Sequence, residues 1–363
     1  MTSIAVVGAG LAGTLLAWRL HSAGATVEIL TGSAGAGWDA TEASGGLVRG
    51  FEPDAVACRE AAESLAELRS SPTLRRWSAY REVGSLVLWG ASKYHHYGAD
   101  GPLTTTTGAP AEPMRILAEL LPGSATVLTA AELSARYSLR GLPDGMVGVA
   151  ERHAGYLSPA RLRSAVLAEL AGAGVPLRPQ RVTAVPAPNK VRLADGSTRR
   201  YDTVVLTTGA WTPRLLAGSG LADPDLRTKH VQYSLHAAGP AGLGAFLDCT
   251  TGLYGRPAHG GGFLLGLPSD RWDVDPDAVG PDPRLAARAL EYARERLSNP
   301  MTPAPRTVAA FDCYHREPGL RLRRHGTALL SFTGGSGGAA KTVLAASRTA
   351  ATALLGAPAG VPR

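Results

Sequence analysis

The stretch IAVVGAGLAGTLLAWRL, residues 4–20, decides the fold of this chain. A short apolar run leads into three glycines, and an apolar helical segment follows them. In such a turn the first glycine bends the chain, the second lets a pyrophosphate approach the backbone, and the third lets helix and strand pack closely. A second apolar strand at 25–31 completes a βαβ unit. We therefore predict a dinucleotide site rather than a purely structural turn; its candidate residues are Gly8, Gly10, Leu11, Ala12 and Gly13.

The end of the second strand departs from the usual dinucleotide pattern. An acidic residue is expected there to bind the ribose hydroxyls, but the strand ends in Thr31. Glu28 lies in the middle of the strand, and its side chain is expected on the opposite face of the strand from that of Thr31. We favour a hydroxyl contact from Thr31 over a carboxylate contact from Glu28.

Composition excludes several classes of protein. The chain has 363 residues, three cysteines and a net charge of +7. This length permits one large domain or two interleaved ones. Three cysteines exclude a disulfide framework and favour a reducing, cytoplasmic location. The arginines are scattered, so nucleic-acid binding is not expected. No apolar stretch is long enough to predict a membrane span.

The pattern along the chain predicts an α/β protein built from several segments. Helices are predicted at 52–70, at Thr129–Ala135 with a threonine cap, and at 159–172. A strand is predicted at Gly84–Trp89 and a last helix at Lys341–Leu355. Surface loops are expected at two Pro/Gly-rich stretches, 100–113 and 275–283.

The predicted nucleotide domain is split into three segments with two mixed segments inserted. We expect its parts at 1–79, 147–221 and 309–363. The inserted segments are 80–146 and 222–308.

Beyond the first turn, five motifs carry a resemblance to a known family. They are Ala43-Ser44-Gly45-Gly46-Leu47-Val48-Arg49, Gly155-Tyr156-Leu157-Ser158-Pro159, Thr208-Gly209-Ala210-Trp211, Phe311-Asp312-Cys313-Tyr314 and residues 334–341. With them, the sequence resembles the FAD-dependent amine oxidases related to D-amino-acid, glycine and sarcosine oxidases. It is most similar to the monomeric sarcosine oxidase branch.

The resemblance implies a glutathione-reductase-type FAD-binding Rossmann domain with an inserted antiparallel-sheet substrate domain. It also implies a set of cofactor contacts along the flavin, the adenine end and the isoalloxazine. These are Ser44, Gly45, Gly46, Val182, Thr208, Gly209, Trp211, Gly335, Ser336, Gly337, Gly338 and Lys341.

Two cations match positions that hold a substrate carboxylate in this branch, Arg49 and Lys341. The alternatives are a surface salt bridge from Arg49 to Glu52 or Asp54, and a solvated Lys341 in the first turn of a helix, where the helix dipole disfavours a cation. The resemblance also places Tyr254 over the substrate, with His259 as a weaker candidate for the same cavity. For Tyr254 the alternative is an ordinary core tyrosine.

Two further positions concern the flavin itself. The branch has a lysine that helps the flavin react with oxygen, and Leu264 or its neighbour stands at that place here, which puts fast oxygen reduction in doubt. In the same branch, a cysteine at the position that matches Cys313 carries the flavin through a thioether to its 8α-methyl group. We expect His315 and Arg316 to favour the thiolate form. The alternative is an inert buried cysteine.

These implications predict an enzyme that oxidises the C–N bond of a small amino or imino acid by hydride transfer to flavin N5. A biosynthetic tailoring oxidase fits as well as a catabolic one. We expect a monomer whose partners are a small amine and oxygen or an electron carrier. The rivals are a dehydrogenase that passes electrons to a carrier, a flavin-binding protein without turnover, and an NAD(P)-dependent reductase. His95 and His96 show no metal-ligand spacing, so no metal is expected.

Overall fold

The computed structural model describes residues 3–32, 39–90, 110–298, 304 and 306–356. His95, His96 and residues 100–109 of the expected loop at 100–113 lie outside the described residues. The described helices, in chain order, are α1 (Leu11–Ser22), α2 (Ala55–Ser70), α3 (Pro72–Ser78), α4 (Ala111–Leu120), α5 (Ala130–Arg136), α6 (Pro159–Gly172), α7 (Thr212–Ala217), α8 (Pro283–Arg296) and α9 (Ala339–Leu355).

The described strands alternate with these helices along the chain. They are β1 (Ser3–Val7), β2 (Thr26–Leu30), β3 (Leu47–Val48), β4 (Arg81–Glu82), β5 (Ser85–Trp89), β6 (Ala125–Thr129), β7 (Val147–Glu151), β8 (Gly155–Tyr156), β9 (Leu177–Arg178), β10 (Val182–Ala187), β11 (Lys190–Leu193), β12 (Thr198–Arg200), β13 (Thr203–Leu206), β14 (Leu226–His236), β15 (Ala245–Asp248), β16 (Tyr254–Pro257), β17 (Phe263–Gly266), β18 (Arg306–His315), β19 (Arg321–Arg324) and β20 (Leu329–Thr333).

Local sequence signals explain several helix boundaries. α5 begins after Thr129, whose hydroxyl accepts from the Glu132 N–H, while the Glu132 carboxylate accepts from the Thr129 N–H in a capping box. α6 buries the predicted stripe of Leu162, Val166 and Leu170. The predicted mixed α/β fold is confirmed.

The described residues form two compact units. The first comprises residues 1–42, 159–228 and 312–363, and the second comprises 43–158 and 229–311. The predicted boundaries at 79 and 147 differ from this division. Residues 43–79 and 147–158 group with the second unit because β8 pairs with β3 and β4, and β7 pairs with β5.

The first unit contains a twisted sheet in the order β19-β20-β13-β1-β2-β9. Neighbours are parallel except at the β19–β20 edge. α1 packs against α6 and α9. A small antiparallel sheet, β10-β11-β12, joins the same apolar core through Val185, Val191 and Leu193.

The second unit contains a larger sheet in the order β18-β14-β17-β16-β15-β5-β7-β6. The β5–β15 pair is parallel, while β14–β17, β15–β16, β16–β17, β5–β7 and β6–β7 are antiparallel. Phe263 and Leu265 of β17 belong to an apolar cluster with Leu285 of α8. Among the described helices, none combines the length and apolarity needed to cross a membrane.

Candidate active site

Four turns of the first unit leave the carboxyl ends of adjacent parallel strands. The Gly8–Gly13 turn follows β1, Thr31 follows β2, Thr207 begins the turn after β13, and the glycine-rich turn from Gly334 follows β20. In open α/β sheets, ligands bind at this edge. The four turns therefore define a candidate cofactor cradle.

The three glycines of the first turn differ in what a side chain would meet. A Cβ on Gly13 would lie 2.1 Å from the Gly8 carbonyl oxygen. Gly8 has a φ of +114°, and its Cβ would lie 2.7 Å from the Thr207 carbonyl oxygen. Both glycines are required by the protein's own packing. A Cβ on Gly10 would meet only Thr41 Oγ1, at 3.5 Å. Packing of the protein therefore does not require a glycine at position 10, and the open space beside it fits a bound phosphate.

The N-terminus of α1 suits an anion. Its first turn has no acidic residue, and the cap residue Gly10 has no side chain to accept from the helix N–H groups. Thr41 Oγ1 accepts from the Leu11 N–H at 3.0 Å. The helix dipole then favours a negative group beside the remaining donors. These observations fit the pyrophosphate of FAD.

Glu28 is engaged inside the sheet of the first unit. One of its carboxylate oxygens accepts from Arg178 Nε, and the other accepts from the Tyr201 hydroxyl at 2.6 Å. A carboxylate held in this way is not available to a ribose. Thr31 lies at the strand end, where its hydroxyl donates to the Gly32 carbonyl at 3.2 Å. The alternative that Glu28 reaches the ribose is therefore not supported.

The turn after β13 ties the cradle together. The Thr207 hydroxyl lies 2.9 Å from the Val7 carbonyl oxygen and 2.8 Å from that of Gly8. Thr208 Oγ1 lies 2.9 Å from Thr212 Oγ1. Gly209 has a φ of +52° and open space around its Cβ position. It begins a 3-10 turn that ends at Trp211. Val182, the adenine-end candidate, begins β10 opposite Leu193.

The last glycine turn is held by backbone hydrogen bonds to β18. The N–H of Ser336 donates to the Cys313 carbonyl at 3.1 Å, and that of Gly337 donates to Asp312 Oδ2 at 2.8 Å. Ser336 adopts a φ of +50°, a left-handed conformation that serine rarely takes. Gly335 pairs with Tyr314. A β-carbon on Gly338 would lie 3.4 Å from Lys341 Nζ, so the lysine side chain folds back over the turn.

Cys313 lies in the apolar core of the first unit. It is 1% exposed and belongs to the cluster that contains Val7 and Leu329. Burial raises the pKa of its thiol to about 12. The expectation that His315 and Arg316 favour the thiolate is not supported, because burial dominates the Cys313 pKa and neither residue is among its largest influences.

Asp312 is a half-buried acid beside the same turn. Its carboxylate accepts from the N–H of Cys313 and from that of Gly337, both at 2.8 Å. Burial raises the pKa of Asp312 to about 6, while the two N–H donors lower it. The sequence analysis did not select this residue, although an acid between two apolar core residues is a signal that can be read.

The flavin-side candidates of the second unit lie in one short segment. The Gly46 N–H donates to Ser44 Oγ at 3.2 Å, and the Gly46 carbonyl accepts from the Leu157 N–H at 2.9 Å. Gly46 has a φ of +63°. The Gly45 carbonyl accepts from Arg256 Nε. The segment is thus fixed by contacts within its own unit.

Arg49 is buried, with 9% of its area exposed. Its Nη2 lies 2.8 Å from Glu52 Oε1, and its Nε donates to the Phe51 carbonyl at 3.1 Å. The alternative to a carboxylate role was a surface salt bridge to Glu52 or Asp54; the pair forms with Glu52, but it is internal. Glu151 accepts from the N–H groups of Gly50 and Phe51 at 2.9 Å each. Burial raises the pKa of Glu151, while these donors and Arg49 lower it.

Tyr254 and Leu264 occupy neighbouring strands of the larger sheet. The Tyr254 hydroxyl donates to the Gln232 carbonyl at 2.8 Å, and its ring covers Gly266, whose Cβ would lie 2.4 Å from the ring. Leu264 is fully buried, and its Cδ1 lies 3.5 Å from the Cβ position of Gly45. The position expected to hold an oxygen-activating cation is therefore apolar and sealed.

His259 and Arg256 both contact Tyr156. The His259 ring meets the Tyr156 ring edge-on at 4.8 Å, and the Arg256 guanidinium lies over the Tyr156 ring at 4.3 Å. The sequence analysis did not select Arg256. The signal that could have identified it is a single arginine in a hairpin strand of apolar residues and glycines.

One group of possible metal ligands is present in the described residues. Atoms of Asp223, Asp225 and His315 lie within 4.8 Å of one another in the first unit. His315 Nδ1 already accepts from the Glu317 N–H at 2.9 Å. A cluster of this kind does not by itself make a metal site.

Comparisons with known proteins agree with the cradle and the fold. The model of the FAD dependent oxidoreductase family, DAO, matches residues 3–353. No curated protein sequence matches this chain significantly.

Several solved structures are similar over nearly the whole chain. NikD, described as an unusual amino acid oxidase essential for nikkomycin biosynthesis, is 22% identical, with 100% of this chain and 96% of NikD covered and a TM-score of 0.74. L-proline dehydrogenase from P. horikoshii is 17% identical, with 97% and 93% covered and a TM-score of 0.74. Iminodiacetate oxidase from Chelativorans sp. BNC1 is 21% identical, with 99% and 97% covered and a TM-score of 0.72. At these identities the likeness shows a shared fold. Together with the family match and the glycine cradle of the first unit, it leads to one conclusion: the chain belongs to the DAO family of FAD-dependent oxidoreductases.

Proposed function

We propose that this FAD-dependent oxidoreductase oxidises the C–N bond of a small amino or imino acid to an imine. The observation that carries the proposal is the combination of an FAD cradle in the first unit with a cluster of aromatic and cationic side chains around the buried Tyr156 and Arg256 in the second. The similar structures include an amino acid oxidase, a proline dehydrogenase and an iminodiacetate oxidase, and these activities support this substrate class.

The first unit acts as the FAD-binding domain and the second as the substrate domain in this proposal. When bound, FAD supplies the hydride acceptor. The N-terminus of α1 holds its pyrophosphate, the Thr31 hydroxyl contacts the ribose, and the last glycine turn presents backbone N–H groups. The remaining cofactor candidates of the first unit contribute to the same cradle, and Ser44 to Gly46 of the second unit contribute their backbone to the flavin.

The substrate enters as its neutral amine, and the protein contributes mainly orientation. Tyr254 provides an aromatic wall and His259 closes the edge of the cluster through Tyr156. Lys341 is the candidate cation of the first unit. Arg49 is less well suited to hold a carboxylate, because Glu52 already neutralises it. Its role in this proposal is to position the Gly50–Glu52 segment.

A second candidate function is a dehydrogenase that passes electrons to a carrier rather than to oxygen. The buried, apolar Leu264 favours it, because a cation near the developing charge of reduced oxygen would stabilise that charge. Peroxide production and dye reduction, measured on the same substrate, separate the two. Fast dye reduction with little peroxide supports the dehydrogenase.

The cell compartment and oligomeric state are part of the same proposal. We propose a cytoplasmic monomer with a tailoring or catabolic role, similar to the monomeric sarcosine oxidase branch. Three free, buried cysteines support a reducing compartment. Light scattering of the purified protein tests the monomer.

Mixing purified holoprotein with a panel of amino and imino acids under nitrogen tests the proposed reaction. The proposal expects at least one of them to bleach the flavin. A flavin that responds to none of them, but is reduced by NADPH, would replace the proposal with a nicotinamide-dependent one.

A further inference from the structure

Among the described residues of the second unit, three arginines are buried, and they differ in their partners. Arg49 pairs with Glu52 at 2.8 Å, and Arg296 pairs with Asp248 at 2.7 Å. Arg256 is only 7% exposed, and no carboxylate of the described residues lies within ion-pair distance of it. Buried charges in proteins are normally paired, so an uncompensated guanidinium requires an explanation.

The contacts of Arg256 hold the side chain in place without neutralising it. Nε donates to the Gly45 carbonyl, and Nη1 donates to the Pro257 carbonyl at 2.6 Å. The guanidinium lies over the Tyr156 ring at 4.3 Å. Within the part of the chain that the structure describes, Nη2 has no acceptor. Two carbonyls and one ring fix the orientation of the fork and leave one donor edge for a ligand.

The surroundings of Arg256 form a consistent binding surface on one face of the sheet. Leu264 stands directly opposite it on β17. Tyr254 and Tyr233 share the same face, because residues two apart on a strand, and residues directly paired, point to the same side. The guanidinium therefore lies among apolar and aromatic groups, where a charge-assisted hydrogen bond is strong.

The protonation of Arg256 agrees with this setting. Burial lowers its pKa, while Tyr156 and Tyr233 raise it. No acidic side chain contributes to that pKa. An arginine remains charged in such a site, since a guanidinium is not deprotonated in proteins.

We propose that Arg256 is the residue that binds the carboxylate of the substrate. This inference rests on the proposed oxidation of an amino or imino acid and assigns its anion to a residue other than Arg49. A planar guanidinium with a free edge matches a carboxylate, and a single uncompensated charge matches a monoanion. The aromatic groups around it supply the apolar contact for the rest of a small substrate.

Carboxylate titration of the holoprotein tests this assignment. The probes are acetate, propionate and benzoate, with acetamide, propionamide and benzamide as neutral matches. Binding is followed by calorimetry and by perturbation of the flavin spectrum. We expect at least one carboxylate to bind and its amide not to. In Arg256→Gln the affinity for that carboxylate falls by about tenfold or more, while the matching amide binds neither protein.

Two further variants separate the geometry of the site from its charge. Arg288 is exposed on α8, so Arg288→Gln removes one positive charge from the same unit and should bind as wild type. Arg256→Lys keeps the charge but loses the planar fork, and we expect an intermediate affinity. If Arg256→Gln fails to retain flavin, the carboxylate affinity of Arg256→Lys tests the proposal instead. A wild-type affinity in Arg256→Lys then overturns the proposal.

The outcomes distinguish this inference from the proposed function. Equal carboxylate affinity in wild type and Arg256→Gln, or no carboxylate binding to wild type, overturns the role of Arg256. An amino acid that bleaches both proteins with the same concentration dependence overturns it as well, but leaves the proposed reaction standing. Carboxylate binding that depends on Arg256, without any amine that bleaches the flavin, contradicts the proposed reaction instead.

Discussion

Gly10 and Gly13 provide a matched pair of substitutions that separates the needs of the fold from those of the cofactor. In Gly13→Ala, the new methyl group would lie 2.1 Å from the Gly8 carbonyl oxygen and 2.3 Å from Thr207 Oγ1. Contacts this short force α1 away from β1, and overpacking of this kind costs about 3 kcal/mol of unfolding free energy. In Gly10→Ala, the nearest atom is 3.5 Å away, and the backbone φ of −70° suits alanine.

The two stability effects of Gly10→Ala oppose each other. Alanine is a poorer helix cap than glycine, but it lowers the entropy of the unfolded chain, so the net change is within about 0.5 kcal/mol. FAD affinity should nonetheless fall by about tenfold or more, because the methyl group fills the space that fits the pyrophosphate.

Urea unfolding of the apoproteins and FAD titration by flavin fluorescence measure the two effects, with Cys313→Ala as the common background so that the flavin can be removed. Gly10→Ala with normal FAD affinity, or with stability as low as that of Gly13→Ala, would refute the reasoning.

The remaining predictions concern three residues around the candidate site. If Cys313 carries the flavin, the raised pKa of its thiol makes attachment slow at neutral pH. The rate at which apoprotein and FAD form acid-stable flavin should then rise about tenfold per pH unit. A flat pH profile contradicts a thiolate route, and complete release of flavin by acid from the wild type shows that no tether forms. Arg49→Ala should lower the free energy of unfolding by about 3–5 kcal/mol, since it removes the cation that neutralises buried Glu52, whereas Arg49→Met combined with Glu52→Leu should recover most of it. Equal losses in both variants, measured by urea unfolding, would show that the pair is not the cause. Asp312 binds its proton more tightly in the folded state, with a pKa of about 6, so its contribution to stability is full below the unfolded pKa and is lost as pH rises through 6. The difference in unfolding free energy between wild type and Asp312→Asn should therefore shift by roughly 2 kcal/mol between pH 4 and pH 7, and a constant difference would contradict the raised pKa.

Local signals made several elements of the chain predictable. The strand, glycine turn and helix at its start are fixed by nearest neighbours, and so are the Thr129 cap and the apolar stripe of α6. α8 was not predicted, although its signal is equally local. Asp282 caps this helix, and Pro283 stands at its first position.

The electrostatics of the candidate site depend instead on residues far apart in the chain. Arg256 reaches a carbonyl 211 residues away, and the Gly50 N–H reaches a carboxylate 101 residues away. No spacing rule reveals that Glu52 neutralises Arg49 inside the protein while Arg256 is left without an acid. The same reason applies to Cys313, whose neighbours in sequence suggested a reactive thiol while its neighbours in space form an apolar core.

The most direct test of the account is the visible spectrum of the purified protein during anaerobic titration with amino and imino acids. The account predicts a yellow protein with one FAD per chain, whose flavin is bleached by at least one amine that carries a carboxylate and not by the matching amide. A colourless protein that takes up no FAD, or a flavin that stays oxidised with every amine, would contradict it.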